Sequence, residues 1–532
     1  MSFIQQFKGQ REKLKEYLKS GNIPVGEIDD LYSLLNEESI PDDIKFLVYQ
    51  QIKENKDLFH IDKLSKTLNL PPIVVKKIFK SAPIKAKFPI ALEKDKDIAT
   101  AYIIPLEKPI QSNTFSSNRE IREGIKTIKS LLKTKNIPIK DFFVIFDKNF
   151  DGKSFMLSIL AGLTLPQESL KKFAFTGVLN EEGEIFPVGY ISFKEEISKE
   201  NGLILITPDH LDTVEELIYY LGDEKVDIPF VFFIKRPPNE AKLSLKKLES
   251  KIKEKVPFFS IEKLCNLFGF VQEDLIVNFE NFLPVLDTDE LDTDNLWSNQ
   301  VKTFEQKLKY IYSKFEYKKR VLHFALGGVP SSLAMALGIK LGAKKPIILY
   351  HYQSDEYFPV IELSDYKNLR KIKYIRKNLK ENLENIEFFL EDTFSNTKDI
   401  AVSIWLASHN PHFDVENYLK QTKKEFDLLK IESKDFQGDI PLPDDFEDIS
   451  KDYWVRYISE IYSLLNILKN NKGVQNYHIF LSVPVVIAFG LGMAVGHFWK
   501  GVIYNYNFGA KTSDTKYYPV FKLEDKRLRS FF

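Results

Sequence analysis

Apolar residues recur at helical spacing through the first 85 residues. DDLYSLLN (29–36), PDDIKFLVYQQIKEN (41–55) and IDKLSKTLNLPPIVVKKIFKSA (61–82) each predict short helices, punctuated by prolines. From about residue 86 the pattern alternates between strand and helix. ATAYIIP (99–105), DFFVIFD (141–147), KFAFTGVLN (172–180) and LILITP (203–208) read as strands. SNREIREGIKTIKSLLKTKN (117–136) is an amphipathic helix, SFMLSILAGL (154–163) an apolar one, and SFKEEISKENG (192–202) a short one closed by Gly202. Helices and the strong strand IPFVFFI (228–234) continue to about 283.

An acidic run, DTDELDTDN (287–295), then reads as a linker, and a second α/β region follows. That region contains an internal repeat. VPSSLAMALGIKLGAKKPIILYHYQ (329–353) aligns without gaps to VPVVIAFGLGMAVGHFWKGVIYNYN (483–507). Val329/Val483, Pro330/Pro484, Ala334/Ala488, Leu337/Leu491, Gly338/Gly492, Gly342/Gly496, Tyr350/Tyr504 and Tyr352/Tyr506 are identical. Each copy predicts a strand, a loop, a helix opened by proline and a second strand, a βαβ unit. The uncharged run 479–496 is long enough for a membrane span. A strand and helix buried in an α/β layer explain it better. The expected organisation is a helical region over 1–85, an α/β segment with a helical extension over 86–283, an acidic linker over 284–299, and a duplicated α/β region over 300–532. The halves of the last are about 300–433 and 452–532, on either side of the acidic insertion 434–452.

Composition narrows the function classes. With 75 basic and 75 acidic residues, no net charge marks the chain as a nucleic-acid binder. The single cysteine, Cys265, excludes a disulfide framework and a cysteine zinc site, and its amphipathic setting predicts burial. The charged start MSFIQQFKGQREKLKEYL is no signal peptide, so the expectation is cytoplasmic. No phosphate-loop motif and no clustered histidine motif occurs, so no cofactor and no metal is expected.

The candidate chemistry lies in NFDGKSFMLSILAGL. A buried strand ends at Phe146, a turn containing Gly152 follows, and Ser154 is expected where a helix begins. Unpaired N–H groups there would stabilise an oxyanion. Taken alone, such a serine is a helix cap. Further on come Thr176-Gly177, a turn at Gly183, Pro187-Val188-Gly189 and then Lys194 at a helix start. A lysine acts as a base only when neutral, which from about 10.4 takes roughly 4–5 kcal/mol. Burial beside Tyr190 and Phe193, and the helix dipole, would push that way.

Residues from about 98 to 210 resemble the proteolytic domain of Lon proteases, particularly the archaeal-type branch. The family's D-G-x-S is matched by Asp151-Gly152-Lys153-Ser154, and its P-V-G-G-V-x-x-K by Pro187 through Lys194. The resemblance implies that Ser154 attacks a scissile carbonyl, Lys194 takes its proton and Thr176 positions Lys194. Two departures, Phe155-Met156 after the serine and Tyr190 for the family's second glycine, would narrow or gate a substrate groove. No ATPase motif accompanies the segment, so exposed loops of a particular partner are the expected substrate.

The duplicated region resembles the SAVED sensor domain, a fusion of two CARF-like (Rossmann-like) βαβ units that binds cyclic oligonucleotides. The resemblance rests on LHFALGGVPSSLAMALG with YHYQSDEYFPV, on AVSIWLASHNPHFDVENYL and on YYPV at 517–520. Gly327, Gly328, Ser331, Ser332, Ser482 and Val483 at strand-to-helix turns, with Ser408 and Asn410, are candidates to line a ligand site. Lys516 is a candidate phosphate partner, and Tyr357, Tyr517 and Tyr518 are candidates to stack bases. His323 and His478 occupy matching strand positions and read as structural. Lon joined to SAVED resembles the CRISPR-associated Lon proteases. That implies activation by a cyclic oligoadenylate, probed first as cyclic tetra-adenylate, made by a type III complex. It also implies ligand-driven association of protomers and cleavage of a partner protein encoded nearby, such as an anti-sigma-factor-like regulator. Two other readings stay open at this stage: a non-catalytic nucleotide-sensing scaffold, and a DNA-binding regulator acting through the helix-turn-helix-like segment near 61–82.

Overall fold

The computed structural model describes residues 6–7, 9–21, 23–55, 60–91, 96–279, 296–315, 318–375, 383–391, 398–442 and 452–530. It divides into two compact units, Met1–Glu224 and Lys225–Phe532.

The first unit opens with helices α1 (Arg11–Ser20), α2 (Ile28–Asn36), α3 (Asp42–Glu54), α4 (Ile61–Leu68) and α5 (Pro72–Lys80). An α/β body follows: β1 (Ile84–Ala91), β2 (Lys96–Leu106), α6 (Arg119–Thr134), β3 (Asp141–Phe146), α7 (Met156–Thr164), α8 (Gln167–Lys172), β4 (Phe173–Phe175), β5 (Val178–Leu179), β6 (Ile185–Phe186), α9 (Ile191–Glu200), β7 (Ile204–Ile206) and α10 (Val214–Leu221). Its main sheet has the order β3-β2-β1-β4-β7, antiparallel across β1–β3 and parallel from β1 through β4 to β7.

Alternation along β2 decides what covers each face. Tyr102, Ile104 and Leu106 point to one side and share a core with Phe46, Val48, Ile78 and Phe79 of the N-terminal helices. Ile103 points to the other side, where α7 approaches so closely that a Cβ on Gly162 would stand 2.3 Å from its Cδ1. The division expected at residue 85 is therefore not a break in the core: α1–α5 are one layer of the α/β body. A buried charge ties them there. Lys45, 1% exposed, donates to the Phe115 carbonyl at 2.7 Å and to Ser117 Oγ at 2.9 Å.

The second unit contains β8 (Val226–Ile234), α11 (Pro238–Lys253), α12 (Ile261–Phe268), β9 (Ile276–Phe279), α13 (Leu296–Lys314), β10 (Arg320–Leu326), α14 (Ser331–Leu341), β11 (Ile347–Gln353), β12 (Glu356–Leu363) and α15 (Tyr366–Leu369). Then come β13 (Ile386–Glu391), β14 (Asp399–Trp405), α16 (His412–Gln421), β15 (Asp427–Ser433), α17 (Tyr453–Asn471), β16 (Asn476–Ser482), α18 (Val485–Val495), β17 (Lys500–Tyr506) and β18 (Tyr517–Lys522). One sheet runs β12-β11-β10-β8-β9 and the other β13-β15-β14-β16-β17-β18. With β13 set aside, the two orders are the same. The shift of register that interrupts β11–β12 at Leu349/Tyr350 recurs in β17–β18 at Ile503/Tyr504.

The repeat is thus larger than the 25-residue alignment showed, and three expected boundaries move. The edge placed at 283 moves to Glu224/Lys225, because β8 pairs in parallel with β10 from Val226/Arg320 to Phe232/Leu326. The acidic run separates strands of one sheet rather than two domains; 284–295 lie outside the described residues, and 296–299 begin α13. The division of the halves near 434–452 moves upstream, because β13, β14 and β15 join β16 in the second sheet. The part of the acidic insertion at 443–451 lies outside the described residues.

The two histidines complete the correspondence. His323 Nδ1 lies 2.8 Å from Tyr350 Oη and Nε2 2.6 Å from Asp227. His478 makes the equivalent pair, with Tyr504 at 3.2 Å and Asp399 at 3.2 Å. Each set stitches together three adjacent strands. The halves meet along α14 and α18. A Cβ on Gly338 would stand 2.0 Å from the Phe489 carbonyl oxygen, and one on Gly492 2.0 Å from that of Met335. Both obstacles are backbone, so no side chain can yield. Gly338→Ala and Gly492→Ala are each expected to destabilise the protein by about 2 kcal/mol or more, read as a lowered urea midpoint.

The apolar run 479–496 resolves into the end of β16, a turn and the 11-residue α18. Among the described residues no helix is long and apolar enough to cross a membrane. Cys265 is buried in α12, and burial pushes its thiol up to about 12.

Candidate active site and ligand-binding edge

In the first unit the turn from Asp147 to Phe155 is held from three sides. Asp147 accepts from the Thr100 N–H at 2.8 Å. Asn149 pairs twice with Asp43 at the start of α3, donating from Nδ2 at 2.8 Å and accepting the Asp43 N–H at 3.2 Å. The first turns of α6 supply the rest: Asn118 donates to Asp151 at 3.3 Å, Glu120 accepts the Gly152 N–H at 2.6 Å, and Glu123 pairs with Lys153 at 3.0 Å. Gly152 has φ +85°, a conformation that suits glycine. Asp43, Asn149 and Glu120 escaped the sequence reading, because a turn such as NFDGKS advertises its own bend and not its distant partners.

The helix after this turn begins at Met156, with Phe155 as its N-cap residue, so Ser154 stands one residue before the cap. Phe155 does not narrow a groove. It is fully buried and packs against Phe146 and Phe150, ring centroids 5.4 Å away in each case. Met156 is buried too. The first amides are partly committed: Met156 N–H goes to the Lys153 carbonyl and Leu157 N–H to that of Gly177.

The strand expected over 172–180 breaks at Thr176-Gly177 into β4 and β5. At the break, Gly177 N–H donates to the Ser154 carbonyl at 3.0 Å. The preceding Thr176, fully buried, accepts from Lys194 Nζ at 3.2 Å. Ser154 and Lys194, 40 positions apart in sequence, thus converge on two consecutive residues.

Lys194 lies one turn into α9, its N–H on the Tyr190 carbonyl at 3.0 Å. It is 6% exposed, and among the described residues no carboxylate pairs with it. Burial pushes its pKa down to about 8. The rings expected to shield it do not: Phe193 is 46% and Tyr190 67% exposed. Tyr190 also adopts the left-handed conformation, φ 61°, ψ 34°. For a side chain with a Cβ this costs about 1–2 kcal/mol.

In the second unit the expected ligand residues gather at the carboxyl edges of β10, β14 and β16, where open α/β sheets bind ligands. Gly327 and Gly328 line a cavity of about 150 Å³ together with Arg236, His351, Tyr352 and Tyr357. Ser331 donates to the Val483 carbonyl at 3.0 Å, which joins the two repeat turns. Ser482 donates to the His409 carbonyl, and Asn410 accepts the His412 N–H at 3.0 Å. Ser408 and Asn410 are exposed on the loop after β14. Lys516 donates to Tyr506 Oη at 3.0 Å, and Tyr506 in turn to Asp414 at 3.3 Å.

Three expected ligand contacts do not stand. Ser332 is 2% exposed and donates to Asn505 at 2.6 Å, while Tyr517 is 3% exposed and sits in a core with Tyr418, Phe480 and Tyr504. Tyr518 is likewise buried and bonded to Asn505. A tyrosine in YYPV alternates between two buried faces of the hairpin, a placement that its aromatic character alone does not reveal. Arg236, His351 and His409 were missed. Arg236 lies beyond β8, within the segment 86–283 expected to belong to the first α/β region. His412 also lies at this edge, 2.8 Å from Ser403, and burial pushes it down to about 4, so it is neutral at pH 7.

No curated protein matches the chain. Among solved structures it is similar to the Acinetobacter baumannii Cap4 SAVED/CARF-domain containing receptor with the cyclic trinucleotide 3'3'3'-cAAA, at TM-score 0.36 and 14% identity over 76% of this chain and 78% of that one. The same receptor with 2'3'3'-cAAA gives TM-score 0.35 and 13% identity over 71% and 68%. The Moraxella osloensis Cap4 SAVED/CARF-domain containing receptor gives 0.33 and 11% over 83% and 94%. Residues 304–523 match the family model of the SMODS-associated and fused to various effectors sensor domain, so the C-terminal part of the chain carries a SAVED domain.

Proposed function

We propose that the chain is a serine-lysine endopeptidase switched on by a cyclic oligoadenylate bound to its SAVED domain. One observation carries the proteolytic half: a buried lysine without a carboxylate partner, held on Thr176 beside the turn that presents Ser154. A buried, unpaired ammonium is costly, and a neutral amine beside a serine is what a general base requires.

In this reading Ser154 Oγ attacks the scissile carbonyl carbon as Lys194 Nζ takes its proton. The N–H groups of Met156, Leu157 and Ser158 are committed to carbonyls, so the donors to the oxyanion come from the Ser154 turn ahead of α7. The carbon–nitrogen bond breaks, the leaving amine takes the proton from Lys194, and an ester to Ser154 remains. Water then attacks the ester as Lys194 takes its proton; the bond to Ser154 Oγ breaks, that oxygen regains a proton from Lys194, and the new carboxylate is released. The SAVED match supports cyclic-nucleotide sensing. The resemblance to CRISPR-associated Lon proteases supports a type III setting, ligand-driven association of protomers and a partner encoded nearby as substrate.

The test incubates the chain with the neighbouring gene products and cyclic tri- or tetra-adenylate, and reads fragments by mass. Ligand-dependent fragments are expected from the wild type and from neither Ser154→Ala nor Lys194→Ala. Cleavage by both variants would overturn the dyad, and ligand binding without any fragments would favour a scaffold.

A further inference from the structure

We infer that Tyr190 is a specificity-determining residue of the proposed protease, contacting a large apolar side chain of a polypeptide substrate next to the scissile bond. The inference rests on the serine-lysine reading and adds what the enzyme selects. Tyr190 is unfavourable on two independent counts. Its backbone is left-handed, φ 61°, where glycine or asparagine is at ease. Its ring is 67% exposed, so no burial within the unit offsets that strain. Most other left-handed non-glycine positions carry polar side chains suited to turns, such as Asn69, Asn136 and Asp355; Tyr190 is the aromatic among those described.

Its position supplies the reason. The Tyr190 carbonyl accepts the Lys194 N–H at 3.0 Å, so Tyr190 lies one helical turn before the residue whose amine would take the serine proton. Phe186 and Phe193, on either side in sequence, are 42% and 46% exposed. Three large apolar side chains thus remain partly exposed within eight residues, Phe193 with the Lys96 ammonium 4.4 Å from its ring centre, while Thr176 and Lys194 are buried. Strain and exposed apolar surface that return nothing to the fold are accounted for when a substrate side chain covers the ring. Phe155, the other bulky departure near the dyad, has no such role because it is core.

The test uses the full chain with cyclic tri- and tetra-adenylate and a library of fluorogenic decapeptides, each position varied between alanine and leucine or phenylalanine. Wild type and Ser154→Ala are compared first; equal cleavage by the two would sink the serine-lysine reading itself. Given Ser154-dependent cleavage, the wild type is expected to prefer a large apolar residue at one position beside the cut. In Tyr190→Gly that preference, as a ratio of kcat/KM values, is expected to fall roughly tenfold, while Tm holds or rises with the relief of strain. Tyr190→Phe is expected to keep the preference. An unchanged ratio in Tyr190→Gly, or a lowered Tm in that variant, would overturn the inference.

Discussion

Lys194→Met is expected to make the protein more stable at pH 7 and to abolish proteolysis. The folded-state pKa, about 8, lies below the ordinary 10.5. Below pH 8 the lysine is protonated in both folded and unfolded states, so the folded state bears the full cost of a buried ammonium. Between pH 8 and 10.5 the unfolded chain binds more protons, and stability rises with pH. The difference, 10.5 minus 8, corresponds to roughly 3 kcal/mol at neutral pH. Methionine fills a similar volume without charge. It also leaves Thr176 without its donor, a loss of about 1 kcal/mol. A net gain of about 2 kcal/mol remains, or a Tm roughly 4–8 °C higher. The gain should shrink as pH rises from 8 towards 10. Cleavage should fall by at least ~10⁴-fold, since removing one member of a catalytic unit disables the whole. Urea melts at pH 7 and 9.5 beside a cleavage assay read both effects. A variant less stable than wild type at pH 7 would mean that Lys194 is a structural residue.

The second large effect is on the pH–rate profile. With a pKa of about 8, roughly a tenth of Lys194 is neutral at pH 7 and roughly a hundredth at pH 6. If only the neutral amine serves as base, kcat/KM rises about tenfold per pH unit up to 7 and levels off above pH 9. Initial rates across pH 6–10 at saturating activator measure this. His412 at the ligand edge does not confuse the reading, because burial pushes it down to about 4 and it stays neutral throughout. A rate independent of pH between 6 and 9 would exclude Lys194 as the base.

How much of this was legible in the sequence depends on the range of the interactions. Local pattern revealed β3, α6, β7 and the βαβ repeat, because amphipathic period and turn residues are properties of neighbouring positions. The resemblance to Lon proteases, not local pattern, brought together Ser154, Thr176 and Lys194, because that family's motifs fall in order here. The extent of the second unit was not legible. IPFVFFI is apolar on both faces and so names no sheet, and an acidic run looks the same between domains as between strands of one sheet. The N-terminal helices misled in the same way: their apolar stripes said that something covered them, and only Tyr102, Ile104 and Leu106 show that it is β2. Side-chain direction was the least legible. Phe155 and Tyr190 are both bulky departures from small residues, yet one turns into the core and the other into water.

The central question is whether Ser154 is a nucleophile activated by Lys194. Mass spectrometry of the full chain after reaction with a fluorophosphonate, with and without cyclic tri- or tetra-adenylate, decides this. The account predicts one adduct on the peptide that contains Ser154, formed faster with the activator and lost in Lys194→Ala. An unmodified Ser154 under both conditions, or an adduct that forms equally fast without Lys194, would contradict it.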